Sequence, residues 1–268
     1  MFTLITGSNG QLAKALIKEL HKREKYVVAY DHASLDIQNL GAIRDKLDGV
    51  HCIINTAAYN HVDLAETHVE DAISVNALGP RNLAIVAEAH DIPLVHFSTD
   101  YVFDGEKRTP YTIADLPNPI NAYGKSKLQH FCRRHFVIRL SWVFGSGVTN
   151  NFVQKILSCA SQKEIKVVTD QMSCPSYTTD LAPAILDLIK TKEYGLYHLT
   201  NSGFCSRHEW ASYILKNSTT RVFPDCSDSF SAPARRLKFS ALNSFPLSKL
   251  PTWQDAMDRY LAEIGRLK

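Results

Sequence analysis

With 268 residues, 45% hydrophobic and 21% charged, the chain has the composition of a folded globular protein, which excludes an intrinsically disordered one. Lys and Arg number 30 against 27 Asp and Glu, a formal charge of +3 spread along the chain. That balance calls for no nucleic-acid partner, although local positive charge would suffice for a diphosphate ligand.

The first residues, Met1-Phe-Thr-Leu-Ile, carry no basic segment ahead of an apolar stretch, so they read as a strand over 2–6 and not as a signal peptide. Apolar residues Leu12, Ala15, Leu16 and Leu20 recur at helical spacing and predict an amphipathic helix over 11–22. Strands are expected at 26–30 and 51–55. A long helical stretch over 66–90 contains Pro80, which should kink or break it. A fourth strand follows at 93–98, a helix at 123–134 and a fifth strand at 136–140. Beyond residue 150 the pattern is less regular. Helices are expected at 152–161, 180–190, 207–216 and 253–267, and strands at 165–168 and 196–199. The Ser-, Pro- and Arg-rich stretch 227–251 has few periodic signals. Strands alternating with helices predict an α/β fold, a Rossmann-type doubly wound parallel sheet with a smaller C-terminal lobe. No apolar run is long enough to cross a bilayer, so no membrane partner is expected. The six cysteines (Cys52, Cys132, Cys159, Cys174, Cys205 and Cys226) form no Cys-x-x-Cys pair and no zinc spacing. They read as reduced thiols of a cytoplasmic protein, and no metal site is expected.

Thr6-Gly7-Ser8-Asn9-Gly10-Gln11-Leu12-Ala13 lies between the first strand and the first helix. Gly7 permits the tight turn, Gly10 lets backbone approach a pyrophosphate, and the helix N-terminus supplies free N–H groups and positive dipole. This strand–turn–helix context points to a dinucleotide. Asp31 ends the second strand, where an acid would bond an adenine ribose hydroxyl and favour NADH. His32 beside it would tolerate a 2′-phosphate, so NADH and NADPH both stand. Residues 1–149 are therefore read as mainly the NAD(P)-binding Rossmann domain. Residues 150–268 are read as mainly a substrate-binding lobe, with some segments returning to the first.

Tyr123 and Lys127, in Tyr-Gly-Lys-Ser-Lys, are spaced to lie one helical turn apart on one face. A nearby ammonium favours the phenolate and draws a tyrosine toward proton transfer near neutral pH. Ser98-Thr99-Asp100-Tyr101 follows the fourth strand, and parallel sheets place ligands beyond the carboxyl ends of their strands. Reduction of a ketone builds negative charge on oxygen, which a hydroxyl and a proton donor would stabilise. Tyr123 is thus the expected proton donor, Lys127 its electrostatic partner and Thr99 the orienting hydroxyl. Asp100 would orient a sugar hydroxyl or tune the site. A sugar dehydratase would need an Asp-Glu pair after the threonine, and Asp100-Tyr101 argues for simple reduction.

With these residues the sequence resembles the dTDP-4-dehydrorhamnose reductase family of extended short-chain dehydrogenases. The likeness runs through TGSNGQLAKAL, NTAAYNHVDLAE, VNALGPRNLA, STDYVFDG, NAYGKSKLQ, RLSWVFG, DQMSCPSYTTDLA and GLYHLTNSG. The resemblance implies NAD(P)H-dependent reduction of the C4 ketone of a nucleotide-activated 6-deoxy-hexulose, in deoxysugar and surface polysaccharide precursor biosynthesis. By motif, Gly10, Gln11 and Leu12 would contact the cofactor diphosphate, and Asp31, Asp36 and Ile37 its adenosine side. Ala58, Tyr59 and Asn60 would line the cofactor cleft. Thr99, Asp100 and Trp142 would face the sugar, and Arg236 would neutralise the substrate diphosphate. The chain departs from the pattern at Ala13, where a third glycine is usual, at Leu237, where proline is usual, and at Met172-Ser173-Cys174. A homodimer is among the expected assemblies. Two other readings compete: a non-catalytic binding subunit on the same fold, similar to the regulatory subunit of methionine adenosyltransferase, and a reductase of a different nucleotide-keto-sugar.

Overall fold

The computed structural model describes residues 2–128 and 133–266. Six short strands dominated by Val, Ile, Leu and Phe form one all-parallel sheet: β1 (Phe2–Thr6), β2 (Val27–Tyr30), β3 (Val50–Asn55), β4 (Leu94–Thr99), β5 (His135–Leu140) and, after four short strands, β10 (Gly195–His198). Successive side chains of a strand point to opposite faces. Ile5, Ile54, Val95 and Ile138 therefore enter one core with helices α1 (Gln11–Lys22) and α7 (Thr178–Thr191). Leu4, Ile53 and Leu94 enter a second core with α2 (Leu40–Arg44) and α4 (Gly79–Ala89). Burial on both faces is what a parallel sheet requires, and every residue of β4 and β5 is buried, His96, Ser98, His135 and Arg139 included. The strand order is β10-β5-β4-β3-β1-β2. The winding reverses between β1 and β3, and the carboxyl ends of those strands flank a crevice.

The expected bounds of the first strand and first helix are the observed ones. The stretch 66–90 is not one helix. It divides into a 3-10 turn (Leu64–Glu66), α3 (Val69–Ile73), a π-helical stretch (Ser74–Leu78) and α4. Pro80 sits in the first turn of α4, directly after the π-helical stretch, whose shift of register accommodates its missing N–H. The helix expected at 123–134 is α5 (Ala122–Ser126), and 129–132 lie outside the described residues, as does residue 267 of the last expected helix.

The later elements are β6 (Val143–Phe144), α6 (Phe152–Ser158), β7 (Glu164–Val168), β8 (Met172–Ser173), β9 (Ser176–Tyr177), β11 (Cys205–Ser206), α8 (Arg207–Ile214), β12 (Arg221–Asp225) and α9 (Trp253–Glu263). Phe144, Trp210, Met257 and Tyr260 centre a third core among α6, α8 and α9. The stretch 227–251 is mostly irregular, but Leu237, Phe239 and Leu242 pack on Val102, Phe103 and Tyr111. It thus returns to the carboxyl end of β4. No helix among the described residues is long and apolar enough to cross a membrane.

Candidate active site

The phosphate loop is built on a backbone that only glycine fits. Gly7 has φ +70°, and a Cβ there would lie 2.6 Å from the Ala57 nitrogen. The turn therefore packs directly on the chain leaving β3. Gly10 is the N-cap of α1 and no side chain caps it. The first N–H groups of α1 are left to an outside acceptor, the arrangement that suits a dinucleotide diphosphate. Gln11 spends its side chain on the protein, donating to the Val143 carbonyl at 3.0 Å and accepting from Asn151 at 3.2 Å. Only its backbone remains for a ligand. Asp31 accepts from the Ser34 amide at 3.0 Å and hydroxyl at 2.6 Å, and from Asn9 of the loop at 3.3 Å. These bonds hold its carboxyl below the usual range.

A cleft of about 430 Å³ opens beyond the carboxyl ends of β1, β3, β4 and β5. It brings together Gly10, Gln11, Leu12, Ala58, Asn60, Thr99, Asp100, Tyr123, Lys127 and Trp142 of the sequence reading. A larger cavity of about 960 Å³ lies at the opposite edge, against Thr3, Val50 and Pro93. Strand ends of that polarity are not where a parallel sheet presents its ligands.

Tyr123 enters the cleft because Asn121 caps α5, accepting the Gly124 N–H at 2.7 Å. Gly124 then packs α5 onto the loop after β4, since a Cβ there would lie 2.1 Å from the Tyr101 carbonyl. Lys127 is the C-cap of α5 and donates its N–H to the Tyr123 carbonyl at 3.2 Å, keeping both side chains one turn apart. Both are buried, 9% and 3% exposed. Burial pushes the phenol of Tyr123 up, while Thr99 beside it pulls the other way. Burial also lowers the Lys127 ammonium to about 7, because desolvation disfavours the charged form. Beneath them Asn55 accepts from Thr6 and from the Ala57 N–H, and donates to His96 at 2.9 Å. His96 is fully desolvated, and its pKa lies well below that of a free imidazole.

Thr99 donates to Asp100 Oδ1 at 3.0 Å and accepts the Tyr101 N–H at 3.2 Å. Asp100 Oδ2 accepts from Ser141, Ser173 and Ser240. Four hydroxyls surround a carboxylate that is 2% exposed. Its desolvation raises the pKa and those bonds oppose the rise. Asp100 thus tunes and fixes Thr99, and both its oxygens are already engaged.

Trp142 has φ +39°, a conformation a bulky side chain adopts only when its surroundings impose it. One of its faces is covered, the guanidinium of Arg207 lying 3.6 Å from the ring centroid. A sugar could not stack on that face.

Six expected site residues are not in the cleft wall: Gly7 and Asp31, described above, and four that lie elsewhere. The Ile37 side chain is 4% exposed and belongs to the core with Leu83, so only its backbone could meet a cofactor. Tyr59 is not in the cleft wall. Asn76 holds its backbone N–H and carbonyl at 2.9 and 3.0 Å, and its ring stands edge-on to His61. Arg236 pairs with Asp63 at 2.7 Å outside the cleft, which neutralises the cation meant for the substrate diphosphate. Asp36 accepts the Gln38 N–H at 2.9 Å and is not in the cleft wall. Sequence reasoning missed Arg207, and it missed Asn76, which also donates to Ser126 of α5 at 2.9 Å. The helix expected at 207–216 already begins at Arg207, as observed behind the capping box of Ser206 and Glu209, but nothing local in the sequence marks its place over Trp142. Among the described residues no group of His, Cys, Asp and Glu could hold a metal ion.

A family profile described as "RmlD substrate binding domain" matches residues 1–266. The dTDP-4-dehydrorhamnose reductase of Aggregatibacter actinomycetemcomitans is 37% identical, over 81% of this chain and 79% of its own length. A crystal structure of a dTDP-4-dehydrorhamnose reductase from Clostridium acetobutylicum superposes with a TM-score of 0.95 at 34% identity, covering 99% of this chain and 100% of that one. The Bacillus anthracis dTDP-4-dehydrorhamnose reductase, solved in complex with NADP, gives a TM-score of 0.92 at 36% identity, with 98% and 99% covered. By sequence and by fold, this chain belongs to the dTDP-4-dehydrorhamnose reductase family.

Proposed function

We propose that the chain is an NAD(P)H-dependent oxidoreductase that reduces the C4 ketone of a nucleotide-activated 6-deoxy-hexulose, as a dTDP-4-dehydrorhamnose reductase does, in the making of deoxysugar precursors. One observation carries the reading. A buried tyrosine, a buried lysine and a threonine hydroxyl share one cleft with the uncapped N-terminus of α1.

The cofactor, when bound, supplies the hydride to the carbonyl carbon. Gly10 and the first N–H groups of α1 hold its diphosphate, and Asp31 meets its adenosine side. Ala58 and Asn60 wall the cleft between them. Tyr123 keeps its proton at neutral pH because burial disfavours the phenolate, so the proton is available to the alkoxide that forms on the sugar. As that proton leaves, Lys127 in its ammonium form favours the phenolate through its charge. Thr99, whose hydroxyl proton Asp100 holds here, would turn that proton to the carbonyl oxygen beside the phenol when substrate binds. Asp100 acts through Thr99, and Trp142 borders the sugar from the cleft wall. Residues 1–149 form mainly the dinucleotide half and 150–268 mainly the substrate half, with α7 and β10 returning to the sheet.

The test is turnover. Purified protein with NADH or NADPH and dTDP-4-keto-6-deoxy-sugar should oxidise the cofactor, and Tyr123→Phe should slow the reaction by roughly 10²- to 10⁴-fold. Undiminished turnover in that variant would remove Tyr123 from the mechanism.

A further inference from the structure

We infer that Arg207, not Arg236, anchors the substrate through its diphosphate. The inference rests on the reductase reading and assigns a residue that the sequence did not single out. Arg207 is the first residue of α8 and is set in place by the capping box of Ser206 and Glu209. Its guanidinium lies over three rings, 3.6 Å from the Trp142 centroid, 4.6 Å from Phe152 and 5.6 Å from Trp210. All four residues line the cleft. A guanidinium held over rings rather than by a carboxylate keeps its N–H donors for phosphate oxygens, which it can meet in pairs.

Charge makes the assignment specific. The charged side chains lining the cleft are Asp100, Lys127 and Arg207. Asp100 is taken up by four hydroxyls, and Lys127 stands with Tyr123 at the reacting end. No carboxylate pairs with Arg207 among the described residues; its contacts are the rings. Arg236 is already matched by Asp63. Arg207 is therefore the cation on the substrate side that no carboxylate hydrogen-bonds among the described residues; Asp100 acts on it only from a distance, and burial has removed much of its water. An anionic oxygen relieves that state. A nucleotide-sugar brings two phosphates, one of them next to the sugar that Trp142 borders.

Calorimetric titration with dTDP and with thymidine tests this on the wild-type chain, Arg207→Met, Arg207→Lys and Arg236→Met. Melting curves and NADPH affinity check that each variant is folded. Arg207→Met should weaken dTDP by about 10- to 100-fold, the range for a lost charge-assisted hydrogen-bonding group, and leave thymidine unchanged. It should raise KM for the keto-sugar far more than it lowers kcat. Arg207→Lys, a point charge without the fork, should fall between wild type and Met, and it carries the test if the Met variant does not fold. Arg236→Met should weaken dTDP less than Arg207→Met. Unchanged dTDP affinity in folded Arg207 variants, or an equal loss of thymidine, would overturn the inference. If the wild type turns over the keto-sugar while those variants bind dTDP unchanged, Arg207 falls and the reductase reading stands. Arg207-dependent dTDP binding without any turnover would give the reverse.

Discussion

Lys127 makes the folded state pay for a buried ammonium, and the cost depends on pH with a definite sign. Its pKa falls from 10.5 to about 7 on burial. Below pH 7 both folded and unfolded chains carry the proton, and the folded state bears the full penalty. Between pH 7 and 10.5 the unfolded chain binds more protons, so this residue's contribution to stability rises with pH. Above 10.5 the penalty is gone. From pH 7 to pH 9 the linkage gives a gain of about 2 kcal/mol from this residue alone. Lys127→Met, close in length and uncharged, should remove that slope. Denaturant unfolding of wild type and variant at the two pH values isolates it, because every other titrating group cancels in the difference. The variant's stability advantage should be larger at pH 7 and shrink toward pH 9. An advantage that is the same at both values, or larger at pH 9, would refute the claim that Lys127 is buried and easily deprotonated.

Other substitutions probe the remaining parts of the cleft. Gly7→Ala imposes a Cβ on a φ of +70° and on the Ala57 backbone. It should lower stability by about 2 kcal/mol or more in chemical denaturation and weaken NADPH binding. Asp100→Ala leaves four hydroxyls facing an empty carboxylate site. A loss of about 3 kcal/mol is expected, and a loss near zero would mean the network is not formed. Asp31→Asn removes a carboxylate, held ionised by Ser34 and Asn9, from the end of β2. The ratio of kcat/KM for NADPH over NADH should rise by about 10-fold, and no change would take Asp31 away from the ribose.

What the sequence could reveal follows the range of the interactions involved. The loop from Gly7 to Gly10 and the helix after it are set by local forces, so glycine punctuation and the 3.6-residue period give their bounds. Tyr123 and Lys127 are joined by a single helical turn, and their pairing is legible for the same reason. The fate of Arg236 was not. Its partner Asp63 lies 173 positions away, and no local pattern distinguishes a matched arginine from a free one. Asp100 reads as a loop acid, but besides Thr99 its hydroxyl partners come from far along the chain: Ser141 after β5, Ser173 of β8 and Ser240 in the irregular stretch. Pro80 announces a break in 66–90 without saying that a π-helical stretch would absorb it and place Asn76 against Tyr59. Arg207 was hidden because stacking on Trp142 exists only once α8 has docked.

The central claim is that the cleft directs a hydride from a nicotinamide to the C4 carbonyl of a nucleotide-linked sugar. Turnover of dTDP-4-keto-6-deoxy-sugar with nicotinamide cofactor carrying deuterium at its transferable position, followed by NMR of the product, tests it most directly. One deuterium at C4 of the sugar, in a single configuration, is expected. A product without deuterium, or with deuterium at another carbon, would contradict it.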